Sequence, residues 1–176
     1  MEKEKIKYRV LERDEIRRLN EIDRYEIIEE VYYFRDGKLI LEKEYSEVID
    51  HSDISEMIDD YIEDYDYGGT FIGAFDGDKL VGMGGINGKL YGENKNIIQL
   101  SSMFVSNKYR KKGIGRQLIS LLKVKAKQFG AEKLYVSATP SKNTVDFYRG
   151  AGFDLTTPVK ELFESEPKDI HMDMKL

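Results

Sequence analysis

A strand, a basic glycine loop and a long amphipathic helix follow one another over residues 96–129, and this passage constrains the fold most strongly. Residues 96–105 form an apolar run that predicts a strand. Residues 114–129 carry apolar side chains at helical spacing along one stripe, and Gly130 follows as a C-terminal capping residue. Residues 133–138 predict a further strand. Because a strand–helix–strand passage joins parallel strands, the sheet is expected to contain at least one parallel pair.

Patterns elsewhere predict antiparallel pairing. Asp36 and Gly37 stand between two β-prone runs, so residues 26–45 are expected to form a hairpin. Further strands are predicted over 6–11, 70–75, 79–85 and 170–176, and helices over 12–22, from Ser52 or Asp53 to 65, and over 143–149. The chain is therefore expected to form one mixed α/β domain over residues 1–176.

A second glycine-rich run, residues 82–88, fits neither common nucleotide motif. A dinucleotide-binding GxGxxG that begins at Gly82 would need glycine at 87, where the chain has Asn87. A Walker loop over the same run would need glycine at 83, where the chain has Met83. We therefore interpret this run as the end of a strand with a bulge or turn.

Composition excludes several classes of site. The chain has no cysteine, so a disulfide, a zinc–thiolate site and a catalytic thiol are all excluded. Its two histidines, His51 and His171, are too few for a histidine-rich site, and no metal is expected. The N-terminal residues lack the apolar core of a signal peptide, and no apolar run approaches the roughly 18 residues of a membrane-spanning helix. A soluble cytoplasmic protein without membrane contacts is expected.

Charge is distributed unevenly along the chain, whose net charge is -5. Residues 46–66 contain nine acidic side chains and no Lys or Arg, whereas residues 106–133 contain nine basic side chains and one acid, Glu132. These stretches are either solvated helix faces or sites for a cationic and an anionic ligand. Nucleic acid is not the expected partner, because the chain is acidic overall and aromatic residues are not interleaved through the basic stretch.

The loop over residues 110–116 reads Arg-Lys-Lys-Gly-Ile-Gly-Arg and stands at the start of the predicted helix. Gly113 and Gly115 allow a ligand to approach the backbone, where free N–H groups and the positive end of the helix dipole face it. The basic side chains of the loop add positive charge. The arrangement suits a phosphate or pyrophosphate, and a plain glycine turn with exposed basic residues is the alternative.

Two motifs together resemble those of the GNAT superfamily of acetyl-CoA-dependent N-acetyltransferases. The first is R-x-x-G-x-G over residues 110–115, after a predicted strand and before a long predicted helix. The second is N-T-V-D-F-Y over 143–148, followed by G-A-G-F over 150–153. One strand separates the two motifs, as in that family. The resemblance is specific over residues 97–153, about a third of the chain.

The resemblance implies a mostly antiparallel central sheet with a splayed parallel strand pair, here the strands ending near Val105 and Ala138, which admits the pantetheine arm of acetyl-CoA. It implies that Tyr148 protonates the leaving thiolate, and that an N–H near Phe104 or Val105 stabilises the oxyanion. The implied cofactor-binding residues are Met103, Phe104, Val105, Arg110, Lys111, Lys112, Gly113, Ile114, Gly115, Arg116 and Asn143. Two alternatives stay open, since Tyr148 could be a core aromatic and Asn143 a helix N-cap.

The general base is not identified by the resemblance. Histone-type family members carry a glutamate on the strand before the loop, and Gln99 stands near that position, where it cannot accept a proton. His171, on the last predicted strand, is expected to be exposed, with a catalytic role as the alternative. The remaining replacements are water and the side chains of Glu26, Glu29, Ser101 and Ser102.

The expected function is transfer of an acetyl group from acetyl-CoA to a primary amine of a small molecule or peptide. Because no cysteine can carry the acyl group, the amine is expected to attack directly in a ternary complex. The alternative is a non-catalytic sensor that binds acyl-CoA. The acidic residues over 46–66 favour a cationic acceptor. The hairpin over 26–45 is expected either to narrow the acceptor pocket or to form a homodimer contact.

Overall fold

The computed structural model describes residues 5–48 and 53–176, so His51 and the predicted cap at Ser52 lie outside the described residues. The strands are β1 (Lys7–Val10), β2 (Glu26–Arg35), β3 (Lys38–Val48), β4 (Thr70–Asp76), β5 (Lys79–Tyr91), β6 (Ile97–Val105), β7 (Lys133–Ala138), β8 (Asp154–Leu155) and β9 (Ile170–Lys175). The α-helices are α1 (Ser55–Asp66), α2 (Ile114–Gln128), α3 (Lys142–Gly150) and α4 (Lys160–Ser165). Two 3-10 helices cover Arg13–Glu21 and Asn107–Tyr109.

Seven strands form one sheet in the order β1-β4-β5-β6-β7-β9-β8. The pair β6–β7 is parallel, and every other neighbouring pair in this sheet is antiparallel. Strands β2 and β3 form a separate two-stranded sheet. The predicted mixed, mostly antiparallel sheet with flanking helices is therefore confirmed.

Helices cover both faces of the sheet because each strand directs alternate side chains to opposite faces. On one face α2 buries a stripe that includes Leu118 and Leu122. On the other face α1 buries Ile58 and Ile62 against the 3-10 helix that contains Leu19. Within residues 5–48 and 53–176, no helix has both the length and the hydropathy needed to span a membrane.

The glycine-rich run over 82–88 lies inside a strand, so the interpretation as a strand end was wrong in its boundary. Strand β5 continues to Tyr91, with register shifts against β6 at Gly85 and Ile86 that mark the expected bulges. A Cβ built on Gly85 would lie 2.3 Å from Cε1 of Phe71. The run is glycine-rich here because neighbouring side chains pack directly on the strand backbone.

Gly85→Ala is expected to lower the free energy of unfolding by about 1–3 kcal/mol, because the added methyl group overpacks against the Phe71 ring. Gly82→Ala is the matched control in the same strand, since its Cβ meets neighbours only at 3.1–3.3 Å. Urea denaturation of both variants measures the difference. Equal losses would show that Phe71 does not require a glycine beneath it.

The predicted hairpin is confirmed as β2 and β3. Its turn residues Asp36 and Gly37 have φ values of 51° and 76°, the left-handed conformation that a tight hairpin turn requires. The N–H of Tyr32 donates to the carbonyl oxygen of Pro140 at 2.8 Å, and the Tyr32 hydroxyl donates to Asp146 of α3 at 2.8 Å. These bonds attach the hairpin to the loop and helix that follow β7.

Candidate functional site

The parallel strands β6 and β7 pair only at their beginnings, where Ile97–Gln99 lie opposite Lys133–Tyr135. Beyond that point β6 pairs only with β5, and β7 only with β9. Ser101 is an extra residue on β6, because Gly85 pairs with Ser102 and the next residue of β5 pairs with Leu100. Such a bulge bends a strand and increases its twist, which is consistent with the divergence of β6 from β7.

The free edge of β6 presents the backbone of Met103 and Val105 to the gap. The N–H of Ser106 donates to the carbonyl oxygen of Val81 on β5 at 2.8 Å. Because backbone groups of successive residues point to opposite edges of a strand, those of Met103 and Val105 point away from β5. The same alternation directs the backbone of Phe104 toward β5, so of the two oxyanion donors predicted, the geometry favours the N–H of Val105.

A cleft of about 1370 Å³ opens from this gap. It is lined by β6 and the end of β7, by the start of α2, by α3, by Tyr61 of α1 and by the beginning of the β2–β3 hairpin. The hairpin therefore forms part of the cleft wall, as one of its two predicted roles requires.

The start of α2 is open to the cleft. Gly113 has φ 86° and a Cβ built on it would meet no atom within 4 Å, while Lys111 before it has φ 59°. The first N–H of α2 with a helical partner is that of Gln117, which donates to the Gly113 carbonyl oxygen at 3.0 Å. The N–H groups of the first turn before it have no carbonyl four residues earlier within the helix, so they are available to an anion.

Gly115 has a different role from Gly113. Its Cβ would lie 2.8 Å from Cζ of Phe147, so this glycine lets α3 pack closely against α2. Ile114 and Gly115 are buried, whereas Lys111, Lys112 and Arg116 are exposed around the open backbone. The two glycines of the predicted loop therefore differ: Gly115 allows close helix packing, whereas Gly113 is open and flanked by basic side chains.

Arg110 braces the loop. Its Nε donates to the Val105 carbonyl oxygen at 3.0 Å and its Nη1 to the Tyr25 carbonyl oxygen at 2.9 Å. The Asp23 N–H donates to Ser106 Oγ at 2.8 Å. This bond also holds the residue after β6 close to the residues that precede β2. Arg110 therefore joins the end of β6 to the wall of the cleft, and its predicted role in cofactor binding stays a prediction.

Asn143 is exposed and lines the cleft in the first turn of α3. The alternative that Asn143 is the helix N-cap is wrong, because Ser141 is the N-cap and its Oγ accepts from the Thr144 N–H at 3.4 Å. The Asn143 amide is consequently not required for capping and faces the cleft.

Tyr148 lies on the buried side of α3 and also lines the cleft. Its ring makes edge contacts with Phe147 and Phe153, at centroid distances of 5.1 and 5.4 Å. Burial raises the pKa of the Tyr148 hydroxyl, with a smaller contribution from Tyr61 across the cleft, so the hydroxyl stays protonated at neutral pH. The ring packs in the core and the residue also borders the cleft, so the catalytic role of Tyr148 stays a prediction.

Sequence reasoning missed Tyr61 as a cleft residue. Its ring packs against Phe71 and Phe104, at centroid distances of 5.8 and 6.3 Å. Burial raises the pKa of its hydroxyl, and the carboxylates of Asp64 and Asp60 add to the shift. Tyr61 fitted the apolar stripe of the predicted helix, and only its aromatic hydroxyl distinguished it from the core residues beside it.

The suggested replacements for the general base lie in different places. Gln99 accepts a hydrogen bond from Asn87 Nδ2 at 3.1 Å, so its amide is held within the sheet. Glu26 lines the cleft, whereas Glu29 is exposed. Ser101 and Ser102 line the cleft, and each has a buried Oγ with no hydrogen-bond partner among the described residues.

His171 is buried with 6% of its surface exposed, so the expectation of an exposed histidine was wrong. Its Nε2 faces the Glu166 carbonyl oxygen at 2.9 Å and must donate, so Nδ1 accepts from the Tyr135 hydroxyl at 2.5 Å. Burial lowers the pKa of His171, which keeps the ring neutral. In the described part of the chain, no three His, Asp or Glu side chains are grouped so that they could hold a metal ion.

The acidic stretch over 46–66 is partly neutralised. On α1, Asp66 pairs with Arg13 at 2.7 Å and Asp59 with Arg17 at 3.5 Å, both on the side of the first 3-10 helix. Residues 49–52 of the stretch lie outside the described residues. Among the described residues of this stretch, Val48 and Tyr61 line the cleft and no carboxylate does.

The cleft fits a long ligand with a phosphate group at one end. A methyl group at Gly113 would occupy open space beside unbonded N–H groups, which is the form of an anion cradle. The free edge of β6 next to it can pair with an extended, amide-containing chain as a missing strand would. Acetyl-CoA has both a diphosphate and such a chain, so the residues present fit this co-substrate.

Comparisons with known proteins agree with this geometry. The model of the Acetyltransferase (GNAT) family matches residues 34–153. The crystal structure of nourseothricin acetyltransferase is similar with a TM-score of 0.72 at 17% identity, covering 97% of this chain and 98% of that chain. The PaiA N-acetyltransferase from Thermoplasma acidophilum in complex with coenzyme A gives a TM-score of 0.61 at 19% identity, covering 98% and 99%.

A third similar structure holds the co-substrate itself. It is a GNAT family acetyltransferase from Elizabethkingia anophelis with acetyl-CoA bound, with a TM-score of 0.53 at 22% identity, covering 69% of this chain and 83% of that chain. None of the curated proteins matches the sequence. At these identities the structural likeness establishes the fold.

Proposed function

The chain belongs to the GNAT acetyltransferase family, whose model covers residues 34–153, and we propose that it transfers an acetyl group from acetyl-CoA to a primary amine. The amine belongs to a small molecule or peptide and attacks directly in a ternary complex. The observation that carries this proposal is the gap between β6 and β7, which joins a free strand edge to the open start of α2 beside Tyr148.

In this proposal, different parts of the cleft bind different parts of acetyl-CoA. The N–H groups of the first turn of α2 bind the diphosphate, with Lys111, Lys112 and Arg116 as surrounding cations. Asn143 and the β6 edge orient the pantetheine chain. When bound, acetyl-CoA supplies a thioester-activated acetyl group. The Val105 N–H stabilises the developing negative charge on the acetyl oxygen, and the Tyr148 hydroxyl donates a proton to the leaving sulfur.

The acceptor is proposed as a compact amine that carries positive charge. The Glu26 carboxylate borders the cleft and is proposed to attract this charge, whereas the residue of α1 that lines the cleft is Tyr61. The name of the similar nourseothricin acetyltransferase, at 17% identity, also indicates a small-molecule acceptor. A homodimer contact through the β2–β3 hairpin is proposed as compatible with this site, because the hairpin has outward apolar side chains such as Phe34.

Two measurements test the proposed function. Calorimetry with coenzyme A should show one site, and thiol release from acetyl-CoA should depend on an amine from a panel of polyamines, aminoglycosides, amino acids and lysine peptides. Transfer to cationic amines supports the proposal, and a preference for anionic amino acids would contradict the acceptor assignment. Binding of coenzyme A without turnover of any amine would instead favour the alternative of a non-catalytic acyl-CoA sensor.

A further inference from the structure

The chain just before β2 is fastened to the residues that follow β6. The Asn107 N–H donates to the Asp23 carbonyl oxygen at 2.9 Å, and Arg110 Nη1 donates to the Tyr25 carbonyl oxygen, also at 2.9 Å. Asn107 and Arg110 both lie in the segment between β6 and α2. The first residues of β2 are therefore held at one side of the gap between β6 and β7.

The middle of β2 is fastened to the other side of the same gap. Val31 forms an antiparallel bridge with Ser141, just after β7, and the Tyr32 N–H donates to the Pro140 carbonyl oxygen at 2.8 Å. From Tyr25 to Val31 an extended chain covers up to about 20 Å, at about 3.3 Å per residue, whereas paired strands lie about 4.8 Å apart. Residues 26–30 therefore cross the mouth of the gap, where β6 and β7 no longer pair.

The backbone of this crossing segment is turned edge-on to the cleft. Backbone groups of successive residues point to opposite edges of a strand, and the Tyr32 N–H points away from β3, toward Pro140. The backbone groups of Ile28 and Glu30 therefore lie on that same edge. Residues 24–28 line the cleft without interruption, although neighbouring side chains lie on opposite faces of the strand. An extended ligand along the free edge of β6 would thus be bounded by a second strand edge.

A side-chain hydrogen bond strengthens the attachment at the far end of this segment. The Tyr32 hydroxyl donates to Asp146 Oδ1 at 2.8 Å, and Lys142 Nζ donates to Oδ2 of the same carboxylate at 2.7 Å. Burial opposes ionisation of Asp146, but the hydrogen bonds from Lys142 and Tyr32 outweigh it and lower the pKa of this carboxyl. Burial and the bond to Asp146 raise the pKa of Tyr32. The bond is therefore charge-assisted at neutral pH, with a protonated donor and an ionised acceptor.

The helix that receives this bond also carries residues of the proposed co-substrate site. Asp146 lies on α3 three residues after Asn143, and both line the cleft. Residues three apart lie on the same side of a helix. The Tyr32 hydroxyl therefore ties the segment that crosses the gap to the part of α3 that faces the cleft.

We propose that residues 26–32 form a strap that retains the pantetheine arm of acetyl-CoA and that Tyr32 is the positioning residue that fastens it, an inference that rests on the proposed acetyltransferase function. The arm lies between the free edge of β6 and the strap. Tyr32 acts through Asp146 and does not itself touch the ligand. The diphosphate binds outside the strap, at the start of α2, so loosening the strap affects only ligands that have the arm.

The test compares Tyr32→Phe with Tyr33→Phe, which removes the next hydroxyl along the same strand. The Tyr33 hydroxyl donates to Glu44 within the hairpin and has no part in the attachment to α3. We expect Tyr32→Phe to raise the Kd for coenzyme A by about tenfold, through faster dissociation, because one hydrogen bond to a charged group is lost. Tyr33→Phe is expected to stay within about twofold of the unmodified protein. Calorimetry and stopped-flow dissociation measure both variants without an acceptor.

Two further readouts separate retention of the arm from a general effect on the fold. ADP has a diphosphate but no pantetheine arm, so its Kd, measured by competition with coenzyme A, is expected to be equal in both variants. In the unmodified protein, coenzyme A is expected to slow hydrogen exchange at the amides of Ile28 and Glu30, whereas ADP is not. A residue that only supports the fold would change the Kd of both ligands alike.

Asp146→Ala removes the other partner of the same hydrogen bond. It is expected to raise the Kd for coenzyme A by about as much as Tyr32→Phe. The double variant is expected to bind within about twofold of the weaker single variant, because both changes remove one shared bond. Losses that multiply in the double variant would show that the two residues act independently, which would overturn the role of Tyr32 as the fastening.

The outcomes distinguish the inference from its premise. Equal Kd values for coenzyme A in Tyr32→Phe and Tyr33→Phe would overturn the inference and leave the proposed function standing. An equal rise in the Kd for ADP, or unchanged exchange at Ile28 and Glu30 on binding of coenzyme A, would also overturn it. Failure of the unmodified protein to bind coenzyme A would overturn both.

Discussion

Gly113→Val is expected to weaken the binding of coenzyme A by about 100-fold or more. The Gly113 Cβ would project into open space at the start of α2, where the proposed diphosphate approaches the backbone. Losing two charge-assisted hydrogen bonds, each worth about 1.5–3 kcal/mol, weakens binding by about 3 kcal/mol or more, which corresponds to about 100-fold in Kd. Calorimetry with coenzyme A measures this directly, without any need for an acceptor.

The other end of the same helix provides the matched control. Gly130 has φ 91°, close to the 86° of Gly113, and a Cβ there would also meet no atom within 4 Å. Gly130→Val therefore introduces the same backbone strain, about 1–2 kcal/mol or more, away from the cleft. It is expected to bind coenzyme A normally. Equal loss of binding in both variants would assign the effect to helix stability and remove the diphosphate from the start of α2.

Local patterns were sufficient to predict most of the fold. The helix over 114–129 and the hairpin turn at Asp36 and Gly37 depend on residues close together in sequence, and both are present. The open backbone at Gly113 was predictable for the same reason. Gly115 was not distinguished from it, because the ring that requires Gly115 belongs to Phe147, on another helix.

The acceptor side of the cleft could not be predicted in this way. The position of Tyr61 across the cleft from Tyr148 depends on the packing of α1, which no short pattern encodes. Arg110 was predicted to bind the cofactor from its place in the R-x-x-G-x-G motif, and the backbone carbonyls that hold it come from Val105 and from Tyr25, 85 residues away. Long-range contacts of this kind decide which charged side chains remain available to bind a ligand.

Two tyrosines on separate helices border the cleft. Tyr148 on α3 is buried, and its raised pKa keeps a proton available for the leaving sulfur. Burial also raises the pKa of Tyr61 on α1, so both hydroxyls stay protonated at neutral pH.

Tyr148→Phe is expected to lower kcat by about 100-fold or more, because it removes the only hydroxyl proposed to protonate the sulfur. The ring and its edge contacts with Phe147 and Phe153 remain, so the fold and the Kd for coenzyme A are expected to be unchanged. Tyr67→Phe is the control, since Tyr67 is 73% exposed at the end of α1. Steady-state thiol release with the best amine of the panel measures the effect.

A comparison of two acyl donors makes this test specific to proton donation. If Tyr148 protonates the sulfur, an acyl donor whose thiol has a low pKa departs without help, and Tyr148→Phe should lose much less activity with it. An equal loss with both donors would mean that Tyr148 positions the acyl group and does not donate the proton. Unchanged kcat in Tyr148→Phe, with a large loss in Tyr61→Phe, would transfer the acid role to the tyrosine across the cleft.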